Sequence, residues 1–109
     1  MKYYIIAGEA SGDLYGANLI REIKKLDSNA EIRAWGGDLI NKEEVTIVKH
    51  YKNHNYMGFL EVLLNLNTII GNIKFCKNDI EKFKPDELIL IDFPGFNMRI
   101  AKHFHKSKF

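Results

Sequence analysis

The chain has 109 residues, of which 46% are hydrophobic and 28% charged; this size suits one small domain, and the composition excludes a disordered chain. A formal net charge of +2 is too small to indicate nucleic-acid binding, and we expect none. The single cysteine, Cys76, cannot form an internal disulfide, so the chain fits a reducing compartment and Cys76 is predicted to be a small core residue.

The first third of the chain predicts a β-α-β unit. Residues 3–7 are aromatic and β-branched and predict a buried strand that ends at Gly8. Apolar residues at intervals of three then predict a helix over residues 13–26. Residues 30–35 alternate as a second strand, which ends at residues 36–38, Gly-Gly-Asp.

The remainder of the chain continues this alternation of strands and helices. It predicts a strand at 45–48, a loop at 50–56, one or two helices over 59–83 with Asn65 or Gly71 as the break, a buried strand at 88–91 and a helix from about Asn97. This order predicts an α/β domain with a mostly parallel sheet and helices on both faces. Because no strand follows the last predicted helix, we expect the chain to be part of a longer product.

Three loops of the predicted sheet combine glycine with a carboxylate, at residues 8–13, 36–38 and 92–97. Ligands of open parallel sheets bind at the carboxyl ends of the strands, so we expect the loops to converge on one rim. In the first loop, Gly8 and Gly12 allow close backbone approach, and a helix N-terminus offers N–H groups to an anion or a sugar hydroxyl. An equally weighted interpretation is that Ser11 or Asp13 only caps the helix. For residues 36–38, a plain turn is the stronger interpretation.

Asp92 follows four consecutive aliphatic residues and is therefore expected at the top of a buried strand. Partial desolvation there would raise the pKa of its carboxyl group, which suits a general base. The alternative is that the Asp92 side chain caps the turn that follows it.

Residues 59–70 carry more apolar side chains than one helix face needs. One stripe would dock on the sheet, namely Phe59, Val62, Leu66, Ile69, Ile73, Cys76, Ile80 and Phe83. Outside this stripe lie Leu60, Leu63, Leu64 and Ile70, which suggest a surface that meets lipid or a partner. A helix buried on two sides, or a domain contact in a longer chain, explains them equally well. The four histidines lack a metal-binding spacing, and we predict no metal site.

Four blocks of the sequence together resemble the lipid-A-disaccharide synthases. They are residues 7–13 (Ala-Gly-Glu-Ala-Ser-Gly-Asp) with 16–20, residues 36–38, residues 57–63 and residues 92–97 (Asp-Phe-Pro-Gly-Phe-Asn). The resemblance implies an inverting GT-B glycosyltransferase with two Rossmann-like domains and no cofactor. It joins UDP-2,3-diacylglucosamine to 2,3-diacylglucosamine 1-phosphate, giving the β-1,6-linked lipid A disaccharide 1-phosphate and UDP.

The resemblance also implies how this chain relates to the complete enzyme. Residues 1–109 would be part of the N-terminal, acceptor-side domain, and the UDP-binding C-terminal domain would be absent, so the chain alone would be inactive. The enzyme would be cytoplasmic and peripheral on the inner membrane, and a homodimer of the full-length enzyme stays open.

Roles for individual residues follow from the resemblance together with the rim. Asp92 matches the general base for the acceptor hydroxyl. The residues expected to bind substrate are Gly8, Glu9, Ser11, Gly12, Asp13, Gly37, Asp38 and Asn97. The residues expected to meet the membrane or acyl chains are Met57, Phe59, Leu60, Val62, Leu63, Leu66, Ile69 and Ile70.

Two other functions compete with this one. The first is a non-catalytic peripheral membrane or interaction module that docks through the apolar face of residues 59–70. The second is another nucleotide-sugar enzyme of the same fold, such as an epimerase, which the extra apolar surface argues against.

Overall fold

The computed structural model describes residues 1–50, 66–91 and 94–104, which alternate between strands and helices. The elements are β1 (Lys2–Ala7), α1 (Ala10–Leu26), β2 (Glu31–Gly36), α2 (Asp38–Asn41), β3 (Thr46–His50), α3 (Leu66–Phe83), β4 (Glu87–Ile91) and α4 (Pro94–Phe104). The strands form one sheet in the order β3-β2-β1-β4, and each neighbouring pair is parallel. The predicted α/β class and parallel sheet are confirmed.

Helices cover both faces of this sheet, because the side chains of each strand point alternately to opposite sides. In β1, Tyr4 and Ile6 belong to the core beneath α3 and α4, whereas Ile5 and Ala7 belong to the core beneath α1 and α2. The α1-face core consists of Ile5, Ala7, Ala17, Ile20, Ile32, Ala34 and Ile40. The α3-face core consists of Tyr4, Ile6, Trp35, Ile73, Cys76, Ile80, Phe96, Ile100 and Phe104. Cys76 is fully buried, as predicted for a core residue.

Helix α1 packs through only the middle of the predicted face, where Ala17 and Ile20 are buried and Ile23 packs against the core. Leu14 and Leu26, which the apolar spacing placed on the buried face, are both exposed. The buried positions of the helix are Gly12, Asp13, Gly16, Ala17 and Ile20. Small residues at the contact let the helix axis approach the sheet closely, and this turns the larger Leu14 towards solvent.

Helix α3 runs through Gly71 without interruption, so the predicted break at Gly71 is wrong; Asn65 lies outside the described residues. Ile73, Cys76 and Ile80 are buried as the predicted docking stripe requires. Leu66, expected in the same stripe, is 45% exposed.

The predicted helix starts were late by about one turn. α1 begins at Ala10, and α4 begins at Pro94, although the sequence placed its start near Asn97. Proline suits the first turn of a helix, where its missing N–H has no acceptor to lose. β3 extends to His50, which the sequence had assigned to a loop.

A network of polar side chains fastens α3 to the sheet. Asp79 of α3 accepts hydrogen bonds from Arg33 Nη2 of β2, at 2.7 Å, and from the Tyr4 hydroxyl of β1, also at 2.7 Å. Trp35 Nε1 in turn donates to the Tyr4 hydroxyl oxygen at 2.8 Å. Burial raises the pKa of the Tyr4 hydroxyl, so the group stays protonated and remains a donor.

Candidate functional site

The strand order places a switch point beside β1. From β1 the chain moves outward through β2 to β3, and it then crosses to the other side of β1 to form β4. In open α/β sheets of this kind, the ligand crevice lies outside the carboxyl ends of the strands at the point where the order reverses. Here the crevice is expected between the ends of β1 and β4.

The three predicted loops leave the sheet at the same level. Ala7 at the end of β1 is in register with Ile91 at the end of β4, and Ile6 is in register with Trp35, one residue before β2 ends. Helices α1 and α4 both begin at this edge, and their N-termini carry partial positive charge and unpaired N–H groups. Asp92 lies outside the described residues, so its assignment as the base stays a prediction.

Asp13 joins the first two loops through its carboxylate. The side chain is only 3% exposed, and both oxygens accept hydrogen bonds from the backbone of residues 37–40. Oδ1 accepts from the N–H groups of Gly37 (2.7 Å) and Ile40 (3.0 Å), and Oδ2 accepts from that of Leu39 (3.0 Å). Asp13 therefore supplies the N-terminal cap of α2, a helix of four residues where the sequence predicts a plain turn.

The expectation that Ser11 or Asp13 caps α1 is wrong. The cap position of α1 is Glu9, whose backbone is extended and whose side chain makes no capping hydrogen bond. Ser11 lies inside the helix, and its hydroxyl is 3.5 Å from Glu9 Oε1, to which it donates. Asp13 lies inside α1, past the cap position, and its buried carboxylate is used by α2 instead.

Glycines 16 and 36 allow α1 and β2 to approach Ile40 of α2. A Cβ on Gly36 would lie 2.5 Å from Ile40 Cδ1, and a Cβ on Gly16 would lie 2.7 Å from the same atom. Real Cβ contacts are almost never that short. The glycine at the end of β2 thus reflects packing against α2, and Gly37 supplies the cap position of that helix.

Among the described residues of the rim, the exposed polar side chains are those of Glu9, Ser11 and Asp38. The Asp38 side chain is 71% exposed, and its Oδ1 lies 2.9 Å from Nε2 of His50, the last residue of β3. His50 was not among the residues predicted for the rim. Its position at the carboxyl end of a parallel strand could have indicated a rim role. Over the described ranges, no group of three or more His, Cys, Asp or Glu side chains could hold a metal ion.

Asn97 is a buried polar residue in the first half of α4. It is 8% exposed, and its side-chain oxygen Oδ1 has no hydrogen-bond partner within the described part of the chain. Buried amide oxygens are rarely left without a donor, so this atom is an unused acceptor near the start of α4.

Only the end of the predicted lipid-facing segment can be placed. Met57, Phe59, Leu60, Val62 and Leu63 lie outside the described residues. Leu66 is 45% exposed and Ile70 is 53% exposed, whereas Ile69 packs against the α3-face core. Among the helices that the structure describes, none is long and apolar enough to cross a membrane.

A doubly wound parallel sheet with a polar, glycine-containing rim at its switch point defines a Rossmann-like α/β ligand-binding domain. Comparison with known proteins identifies the family to which this domain belongs. The chain belongs to the lipid-A-disaccharide synthetase family, whose model matches residues 3–109. This is a family of GT-B glycosyltransferases, so the match confirms both the resemblance and the fold class.

Individual relatives agree with the family match. The lipid-A-disaccharide synthase of Nitrosococcus oceani is 39% identical over 98 residues, which make up 90% of this chain and 25% of that protein. The synthase of Geobacter metallireducens is 40% identical over 98 residues, 90% of this chain and 26% of that protein. The synthase of Coxiella burnetii is 34% identical over 103 residues, 94% of this chain and 27% of that protein. The chain thus spans about a quarter of the length of these curated relatives.

Proposed function

We propose that this chain is the acceptor-side part of a lipid-A-disaccharide synthase and becomes active when a UDP-binding C-terminal domain completes it. The observation that carries the proposal is the family match, which extends over residues 3–109 and so includes all three rim loops. The substrates are UDP-2,3-diacylglucosamine as donor and 2,3-diacylglucosamine 1-phosphate as acceptor.

We propose Asp92 as the general base of this reaction. A sugar hydroxyl is a weak nucleophile, and a carboxylate beside it can take its proton as the attack proceeds. The acceptor oxygen forms a bond to the anomeric carbon on the face opposite the leaving group, and UDP departs with the electron pair of the broken bond. The end of β4, where Asp92 follows Ile91, borders the switch-point crevice in which such a substrate is expected.

The exposed rim residues would bind the acceptor sugar directly. Glu9 and Asp38 carry carboxylates that can accept hydrogen bonds from sugar hydroxyls, and the unpartnered Oδ1 of Asn97 can do the same. Ser11 can donate or accept. Backbone N–H groups at the start of α1, next to Gly8 and Gly12, can receive a phosphate oxygen.

Asp13 and Gly37 would serve substrate binding indirectly. The Asp13 carboxylate and the Gly37 N–H are bonded to each other at 2.7 Å and are therefore already occupied. Their contribution would be to hold the loops that carry Glu9 and Asp38 at a fixed distance.

The apolar residues between Met57 and Ile70 would contact acyl chains or the membrane surface. Both substrates carry acyl chains, so apolar surface is needed next to the rim. The exposure of Leu66 and Ile70 supports this use. We place the enzyme in the cytoplasm, peripheral on the inner membrane.

The proposal is tested by replacing Asp92→Asn in the full-length enzyme. We expect the rate of glycosyl transfer to fall between about a hundredfold and ten-thousandfold, as for loss of a general base. Binding of the UDP-sugar donor should be unchanged.

Glu87→Gln is the matched control, because Glu87 is an exposed carboxylate at the opposite end of the same strand. It should leave turnover near the wild-type rate. Near-normal turnover of Asp92→Asn would contradict the assignment of the base. Vesicle binding by a full-length protein that shows no UDP-dependent transfer would favour the non-catalytic membrane module.

A further inference from the structure

A groove of about 510 Å³ lies between α3 and α4. Its apolar part is formed by Ile70 and Ile73 of α3. Its polar part consists of cationic side chains, namely Lys74, Lys77, Arg99 and Lys102, with His103 beside them. None of the described residues that line the groove is acidic.

The four permanent cations are concentrated on two facing helical turns. Lys74 and Lys77 are three residues apart on α3, and Arg99 and Lys102 are three residues apart on α4, so each pair projects from one side of its helix. Like charges at this spacing repel one another, and an anion placed among them would remove that repulsion.

These cations differ from several others in the described residues, because none of the four has a carboxylate partner there. Arg33 pairs with Asp79, Arg21 with Glu43 and Lys25 with Glu22. At one end of the groove, His103 Nε2 lies 2.8 Å from Glu81 Oε1, so that carboxylate is already engaged. The groove therefore presents unneutralised positive charge beside apolar surface.

We infer that the α3–α4 groove binds the phosphate headgroup of an anionic phospholipid at a membrane surface. The four cations would surround the phosphate, and Ile70 and Ile73 would contact the first methylene groups of the acyl chains. Ile70 lies one helical turn from exposed Leu66, so apolar surface continues from the groove along α3. The inference rests on the proposed membrane contact and names the lipid chemistry that this contact selects.

Two other occupants fit the groove less well. A second copy of the chain, docked symmetrically, would bring the same four cations face to face, and their mutual repulsion would oppose the contact. A nucleic acid would gain charge neutralisation, but Ile70 and Ile73 offer no aromatic surface on which bases stack.

The test is co-sedimentation of the full-length protein with phosphatidylcholine vesicles, with and without phosphatidylglycerol. The variant Lys74→Gln/Lys102→Gln should bind the phosphatidylglycerol vesicles about 30-fold more weakly than wild type, from the usual effect of two basic residues at an anionic surface. The control Lys25→Gln/Lys42→Gln removes the same charge from the α1 face and should change binding less than about twofold. Equal urea midpoints for the two variants would show that folding is not the cause.

Three results would overturn the inference. The first is an equal loss of binding to phosphatidylglycerol vesicles in both double variants. The second is equal binding of the wild-type protein to neutral and anionic vesicles. The third is displacement of the protein from vesicles by inorganic phosphate at an ionic strength at which chloride does not displace it. The last result would identify free phosphate as the ligand. Glycosyl transfer is measured separately in detergent micelles, where Lys74→Gln/Lys102→Gln should keep wild-type turnover. A protein without transferase activity whose vesicle binding still depends on Lys74 and Lys102 would contradict the proposed function and leave this inference standing.

Discussion

The two faces of the sheet use their aspartate carboxylates differently. On the α1 face, the Asp13 carboxylate accepts three backbone N–H groups, so a side chain holds a stretch of main chain. On the α3 face, Asp79 bonds to the side chains of Arg33 and Tyr4, so side chains hold one another. The Asp13 bonds define the path of a rim loop, whereas the Asp79 bonds define only how α3 packs on the sheet. Substitutions of the buried polar residue on the α1 face should therefore disturb the rim more than substitutions of Asp79 on the α3 face.

The largest expected effect is that of Asp13→Ala. It leaves three backbone donors without an acceptor, two of them fully buried, and should lower the free energy of unfolding by about 3–5 kcal/mol. Asp79→Ala should lower it by only about 2 kcal/mol, because the Arg33 side chain is 29% exposed, so water can replace its lost acceptor, and only the buried Tyr4 hydroxyl is left without one. Urea unfolding followed by circular dichroism measures both values.

Asp38→Ala serves as the control for this pair, since its side chain is 71% exposed, and it should change the free energy of unfolding by less than about 1 kcal/mol. If Asp79→Ala proves more destabilising than Asp13→Ala, the contrast between the two faces does not hold.

A smaller effect is expected at the glycines. Gly36→Ala puts a methyl group against Ile40 and should lower the free energy of unfolding by about 1–3 kcal/mol. Gly71→Ala, on α3, has nothing within 4 Å of the added methyl group and should raise it by about 0.5–1 kcal/mol, because alanine favours the helix.

A double-mutant cycle with Ile40→Ala sharpens the interpretation of Gly36. Removal of most of the Ile40 side chain makes room for the methyl group. The decrease in the free energy of unfolding caused by Gly36→Ala should therefore largely disappear in the Ile40→Ala background. An unchanged cost would mean that backbone conformation, and not contact with Ile40, requires glycine.

The smallest effect concerns Cys76 in the α3-face core. Burial raises the pKa of its thiol from 9.0 to about 12, so the folded chain at pH 8 holds about a thousandfold less thiolate than an exposed cysteine would. Alkylation by iodoacetamide should be slower by that factor in the folded chain and become fast in urea. A folded-state rate within tenfold of the rate in urea would show that the α3 face opens readily.

The same pKa shift makes the stability of the folded chain depend on pH in the alkaline range. Between pH 9.0 and about pH 12 the thiol ionises in the unfolded chain but stays protonated in the folded one. The contribution of Cys76 to stability is therefore complete below pH 9.0 and is lost as the pH rises through this window. Urea midpoints measured across it should fall more for wild type than for Cys76→Ala.

The features predicted correctly from the sequence depend on local patterns. The aliphatic and aromatic run of β1 indicates a buried parallel strand, because both faces need apolar side chains. The run from Leu88 to Ile91 likewise forms a parallel strand, but its side chains are half-buried and not fully buried as predicted. Cys76 and Ile80 fall on a stripe with the helical period and are buried as that period requires.

The features that were missed depend on partners distant in sequence. The four residues of α2 have little helical tendency of their own, and the helix exists because Asp13 caps it from another element. Leu14 is exposed because Gly16 lets α1 approach Ile40, which no spacing within α1 encodes. The pairing of Asp38 with His50 likewise requires the order of β2 and β3 in the sheet.

The hydrogen bonds of Asp13 also have a consequence for the order of folding. Asp13 and Gly37 are separated by 24 residues, and their contact requires that α1 has formed and that β2 has docked beside β1. Contacts between distant parts of a chain carry a larger loop-closure cost than local ones. We therefore expect the rim to be absent from the early helical states of the folding chain and to appear only with the paired strands. A nascent chain would then acquire the first two loops of its rim in one step, when residues 31–40 join the strand and helix made before them.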